Sequence, residues 1–132
     1  MAPRVLLHGP ITQMVIETFF QVYNELGWGF LESVYSASMA CALVQAGAFV
    51  EREVPVAVHF RGTRVGNFRA DLIVESVVLV EVKCSERLAP TWEAQLLNYL
   101  RSTELEVGLL LHFGPKPDFK RLVYSNERKL IR

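Results

Sequence analysis

Apolar positions recur with two different periods along this chain, and the change of period divides it. Ile11, Met14, Val15, Thr18, Phe19, Val22 and Leu26 follow three- and four-residue spacing, the stripe of a helix with one buried face. Pro10 stands at its start and Gly27 at its end, where each is favoured. After Gly27-Trp28-Gly29 a second helix is predicted from Leu31 to Ala46. Leu31, Val34, Tyr35, Ser38 and Ala42 share a face, and Gly47 is the stop. The period then shortens. Phe49 to Phe60 is rich in Val and alternates loosely, as a strand does; Arg61-Gly62-Thr63 is a turn, and Arg64 to Val74 a second strand. Glu75-Ser76 connects it tightly to a third, Val77 to Lys83. Leu72 to Val74 and Val77 to Val80 are continuous apolar runs, the pattern of strands covered on both faces. Ala89-Pro90 opens a third helix, Thr91 to Ser102. Val107 to Phe113 reads as a buried strand, Gly114 to Pro117 as a loop, and Phe119 to Tyr124 as a last, shorter strand.

The order ααβββαββ predicts an α/β or α+β fold, a mixed central β-sheet flanked by helices. The 132 residues suit one domain. With 51% apolar and 21% charged residues the chain is neither disordered nor a linker. No apolar run approaches the ~18 residues of a spanning helix, and the first ten residues lack a signal peptide's apolar core and cleavage site. Cys41 and Cys84 form no spaced metal pair. A cytoplasmic domain with reduced thiols and no membrane association is the expectation. Fourteen basic and fourteen acidic residues cancel, which excludes a nucleic-acid binder that relies on bulk positive charge. A local positive patch remains possible in such a chain: residues 71–111 carry a charge of −4 and residues 112–132 a charge of +4. Solvated faces would give the same split.

Charges inside the most apolar strands are more informative. Asp71 precedes one run, and Glu81 and Lys83 end the next. Leu79, Glu81 and Lys83 share a face of their strand. If the hairpin is centred on Ser76, Asp71 lies opposite Glu81, with Cβ atoms ~5 Å apart. Two carboxylates side by side in a half-buried sheet repel each other, and a buried unpaired charge costs several kcal/mol. A divalent cation held by both removes the objection, and Mg²⁺ is usually bound by one or two carboxylates plus waters and phosphate oxygens. A salt bridge from Lys83 to Glu81 or Asp71 at the sheet edge, with Arg69 helping, accounts for the same residues. Glu32 lies in the first turn of the second helix with Tyr35 one turn on, where it could simply complement the helix dipole. Gln95 and Tyr99, at i and i+4, share a face of the third helix.

Taken in order, these blocks resemble the GxxExxY family of the PD-(D/E)xK nuclease superfamily. Gly29-Phe30-Leu31-Glu32-Ser33-Val34-Tyr35 is similar to its signature. The likeness continues through Glu53-Val54-Pro55-Val56, Phe68-Arg69-Ala70-Asp71-Leu72-Ile73-Val74 and Val80-Glu81-Val82-Lys83. It then takes in Ala94-Gln95-Leu96-Leu97-Asn98-Tyr99-Leu100 and Val107 to Gly114, so it covers residues 11–124. The resemblance implies a restriction-endonuclease-like core. Asp71 and Glu81 match the two metal-binding acids, with the backbone carbonyl of Val82 beside them. Lys83 matches the lysine next to the attacking water, and Glu32 the helix acid that completes or supports the metal site. Gln95 and Tyr99 match a Gln-x-x-x-Tyr element that contacts substrate or braces the site. Ala70 stands where the superfamily name has Pro, and His112 where related sequences commonly show Asn; His112 reads more readily as a core histidine at a strand end.

The implied activity is Mg²⁺- or Mn²⁺-dependent phosphodiester hydrolysis of nucleic acid, DNA before RNA. Arg69, Arg87 and Tyr35 are further candidates for contacting substrate. A catalytically silent module that binds nucleic acid or a protein through the same face is the alternative. Trp28, Phe30 and Phe49 flank loops or element ends, which suggests a homodimer interface.

Overall fold

The computed structural model describes residues 6–129. The elements follow the order α1 (Gly9–Leu26), α2 (Glu32–Gln45), β1 (Val50–Phe60), β2 (Thr63–Val74), β3 (Val78–Cys84), α3 (Pro90–Arg101), β4 (Val107–Phe113) and β5 (Pro117–Val123), with a 3₁₀ turn at Asn126–Arg128. This is the predicted ααβββαββ, an α+β fold of restriction-endonuclease-like type. Element ends differ from expectation by one or two residues. β5 starts earlier than its sequence suggests because Pro117 opens it opposite Phe113, a first-residue position that needs no N–H donor.

The five strands lie in the order β1-β2-β3-β4-β5. All neighbours are antiparallel except β3 and β4, which run parallel and are joined through α3, as a parallel connection requires. Helices α1 and α2 cover one face. Val15, Phe19, Tyr35, Met39 and Leu43 pack there on Leu72, Val74, Val78, Val80 and Val82. Helix α3 covers the other face, with Leu96 and Leu100 on Ala70, Ile73, Leu79 and Leu110. Strands β3 and β4 are therefore covered on both sides, which explains their unbroken apolar runs.

Glu75 and Ser76 have φ of 52° and 60°, the left-handed values of a type I′ hairpin turn. The pairs Leu72↔Val80, Ile73↔Leu79 and Val74↔Val78 keep the register centred on Ser76. Further from the turn, the alternation of faces breaks. Leu72 packs on the α1–α2 side, but Ala70 and Phe68 pack on the α3 side. In β1 the same change separates Val50 from Val54 and Val56. Between them, Glu53 has φ 49°, and the ladder passes from Arg52↔Leu72 to Val54↔Ala70 without a Glu53–Asp71 pair. One residue is lost from the ladder on each strand, so the register survives while the faces exchange. Asp71 occupies this crossing.

Candidate active site

The β2–β3 ladder ends at Leu72↔Val80. One residue on, the Asp71 side chain takes over: its Oδ2 accepts the Val82 N–H at 2.7 Å. Val82 is fully buried, so this carboxylate satisfies a donor that would otherwise face apolar surroundings. The N–H and C=O of one strand residue project toward the same side, which turns the Val82 carbonyl toward Asp71 as well.

Glu81 faces the α3 side and is 7% exposed. Its Oε1 is buried without a hydrogen-bond partner among the described residues. Burial pushes its carboxyl up to about 8; the neighbouring Asp71 charge adds to the rise and the Lys83 ammonium opposes it. A neutral, half-satisfied carboxyl inside a sheet is a costly element on its own. It becomes reasonable if a cation completes it. Two carboxylates and a backbone carbonyl are hard oxygen donors, the set that suits Mg²⁺ or Mn²⁺, so the residues present fit such an ion.

Glu32, at the first position of α2, reaches the same place from the other layer. Partial burial raises its carboxyl, the Lys83 charge lowers it, Asp71 raises it, and hydrogen bonding to the Cys84 backbone lowers it. It therefore lies within electrostatic reach of Asp71 and Lys83. Among the described residues, however, no three His, Cys, Asp or Glu side chains form a metal-holding group, so Glu32 stands beside the acid pair without closing a three-acid cage.

Lys83 lies at the site end of β3, with its ammonium 5.6 Å from the centre of the Trp92 ring of α3, in range of a cation–π contact. Tyr99 comes from the same helix. Its ring stacks on Phe68 at 3.6 Å between centroids and 5° between planes. Desolvation raises its hydroxyl, the Glu81 charge raises it further, a hydrogen bond with Gln95 lowers it, and Asp71 raises it. Trp92, Gln95 and Tyr99 thus form one helix face above the acids. Trp92 and Phe68 were not singled out by sequence; the i, i+3, i+7 spacing of Trp92, Gln95 and Tyr99 is the signal that points to Trp92.

One further position needs correction. Tyr35 is fully buried and does not face substrate. Its hydroxyl donates to the Gly27 carbonyl at 2.5 Å and accepts the Phe30 N–H at 3.3 Å, and its ring stacks on Phe113 at 4.1 Å. It braces the loop that delivers Glu32. Arg69 is exposed on the strand that holds Asp71, next to Phe68 and so on the opposite face of the ribbon; Asp71 and Lys83 are the charges that act on Glu81. Arg87 is exposed in the β3–α3 loop, where its carbonyl accepts the Ser85 hydroxyl at 2.5 Å. His112 is 4% exposed and its Nε2 lies 2.9 Å from the Ser85 carbonyl, so it pins the same loop from β4. Gly114 keeps that contact possible: a Cβ there would lie 2.6 Å from His112 Cε1.

The family model of the PD-(D/E)XK nuclease superfamily matches residues 10–122. The chain belongs to this superfamily. PD-(D/E)XK nucleases generally use divalent metals. A solved structure described as the crystal structure of SSO0001 shares the fold, with a TM-score of 0.52 and 17% identity over 89% of this chain. The present chain spans 60% of that protein's length. No curated protein matches the chain. Among the described residues no helix is long and apolar enough to cross a membrane.

Proposed function

We propose that this protein is a metal-dependent nuclease of the GxxExxY branch, hydrolysing phosphodiester bonds in DNA. The observation that carries the reading is the Asp71–Glu81 pair, with Glu81 Oε1 buried and, among the described residues, without a hydrogen-bond partner, and Lys83 on the same strand face. Asp71, Glu81 and the Val82 carbonyl would hold a divalent cation, with Glu32 supporting from α2. When bound, such a cation polarises the phosphate and lowers the pKa of water. Lys83 orients the attacking water and offsets negative charge that develops on the phosphoryl oxygens. Its ammonium lies over the Trp92 ring, a cation–π contact that helps to hold it in place. Tyr99, locked between Phe68 and Gln95, presents its hydroxyl to the acid pair and to a bound phosphate. Arg87, exposed in the β3–α3 loop, would hold a backbone phosphate, giving position without sequence reading.

Exposed Trp28, Phe30 and Phe49 (44%, 47% and 57%) support a homodimer with this loop region at its interface, which light scattering over a concentration series would test.

The direct test incubates the protein with labelled single- and double-stranded DNA and RNA, in Mg²⁺, in Mn²⁺ and in EDTA. Cleavage in metal, lost in EDTA and in Asp71→Asn, is the expected result. Binding with no cleavage under any of these conditions would favour the catalytically silent module.

A further inference from the structure

Beyond the crossing at Asp71, β1 and β2 leave the sheet. Strand β3 pairs with β2 only at Leu72, Ile73 and Val74, whereas β1 and β2 stay paired through Val54↔Ala70 to Phe60↔Thr63. Seven residues of β1 at ~3.3 Å each make a two-stranded ribbon about 20 Å long. From His59 to Asn67 every residue is exposed, and a Cβ at Gly62 or Gly66 would meet nothing within 4 Å. The root of the ribbon packs on α3 through Val54, Val56, Phe68 and Ala70, so the free part is the tip from His59 to Asn67, and a two-stranded tip with no cover of its own is marginally stable in water.

The composition of the ribbon indicates a partner. Residues 54–70 contain Arg61, Arg64 and Arg69, with His59, and no Asp or Glu. This is a +3 stretch in a chain whose net charge is zero. The Arg61 guanidinium lies 5.0 Å from the centre of the Phe60 ring, and Phe60 and Val65 are 59% and 61% exposed at the tip. Basic groups along a projecting ribbon match a phosphate backbone, and a two-stranded ribbon is one of two elements that fit the major groove of B-DNA, about 12 Å wide. The deep, narrow major groove of A-form RNA does not admit it.

We infer that the β1–β2 ribbon is a DNA-gripping arm that enters the major groove of a duplex, with Arg61 and Arg64 on its phosphates. The inference rests on the nuclease reading for its substrate class and narrows that substrate to double-stranded DNA. The arm is rooted one residue from Asp71, so a duplex held by the ribbon has a strand delivered to the acid pair.

The test is fluorescence anisotropy in EDTA, where no cleavage occurs, with one oligonucleotide sequence as duplex DNA, single-stranded DNA and duplex RNA across a salt series. The wild type should bind duplex DNA most tightly. Arg61→Gln/Arg64→Gln should weaken that binding at least tenfold and lower the salt slope by about 1.8, two phosphates at ~0.9 each. Lys116→Gln/Lys120→Gln, on the β4–β5 side, should do less; circular dichroism checks that each variant folds. Unchanged binding by the arginine variant, or a larger loss from the lysine variant, overturns the arm even if metal-dependent cleavage is intact. So does a wild type that binds no duplex but self-associates through the ribbon. Binding that depends on the arm, in a protein that never cleaves, upholds the arm and overturns the nuclease reading instead.

Discussion

Asp71 accepts the Val82 N–H at 2.7 Å, so the acid proposed to hold a cation also ends the β2–β3 ladder. One side chain thus serves structure and chemistry, and two substitutions separate the roles. Asp71→Asn keeps an oxygen acceptor for Val82 and should keep most of the stability while losing metal-dependent cleavage. Asp71→Ala should also lose about 1–3 kcal/mol, because a buried donor is left unpaired. Denaturant melts alongside cleavage assays check both. Lys83→Ala should lose cleavage with the fold intact, and cleavage that survives all three would move the site elsewhere.

The metal-free protein should become less stable as pH rises through the neutral range. Burial pushes the Glu81 carboxyl up to about 8 in the folded state, against 4.5 for an ordinary glutamate. Between these values the native state holds a proton that the unfolded chain has released, so the stability slope is negative. The contribution is fully present below about pH 4.5 and is lost by about pH 8, with a slope of at most ~1.4 kcal/mol per pH unit for one proton. Glu32, also raised, acts in the same direction from the acid end. Urea melts in EDTA from pH 5 to 8 should show the decline, and Glu81→Gln should flatten most of it.

Mg²⁺ or Mn²⁺ should raise the melting temperature of the wild type but not of Asp71→Ala/Glu81→Ala. A ligand at 100 times its Kd stabilises the folded state by about 2.7 kcal/mol, several degrees for a chain of this size. Equal shifts in the two proteins would put the ion at another place.

Tyr35→Phe should cost about 1–2 kcal/mol, since the hydroxyl bonds to Gly27 and Phe30 are both lost. Because Tyr35 is buried away from solvent, substrate affinity measured by anisotropy in EDTA should stay within twofold. A large loss of affinity without loss of stability would restore the substrate contact that the signature block suggested.

Much of this was legible in the chain because it depends on local pattern. Glu75-Ser76 fixed the hairpin centre, and with it the pairs Leu72↔Val80 to Val74↔Val78; the expected Asp71–Glu81 pair falls one step beyond the end of that ladder. The apolar runs of β3 and β4 announced two covered faces. What escaped the pattern depends on tertiary direction. Whether the Tyr35 hydroxyl points to solvent or back to Gly27 is set by α1, α2 and Phe113 together. The stack of Phe68 on Tyr99 joins residues 31 positions apart. Simple alternation places Ala70 and Leu72 on one face, and only the left-handed Glu53 across the ladder reveals that they separate. The acid-free run from 54 to 70 was visible in the sequence, but its meaning came from its projection beyond the sheet.

That exchange of faces has a mechanical consequence. Ala70 is gripped by the α3 core and Leu72 by the α1–α2 core, so the backbone torsion at Asp71 is held from both ends, like an axle seated in two bearings. Protein interiors transmit small packing changes instead of absorbing them. A packing change on either side, at Leu96 below or Met39 above, would be felt as torsion at Asp71 and so in the aim of its carboxylate. The aim of this one side chain is therefore a gauge of the whole interior.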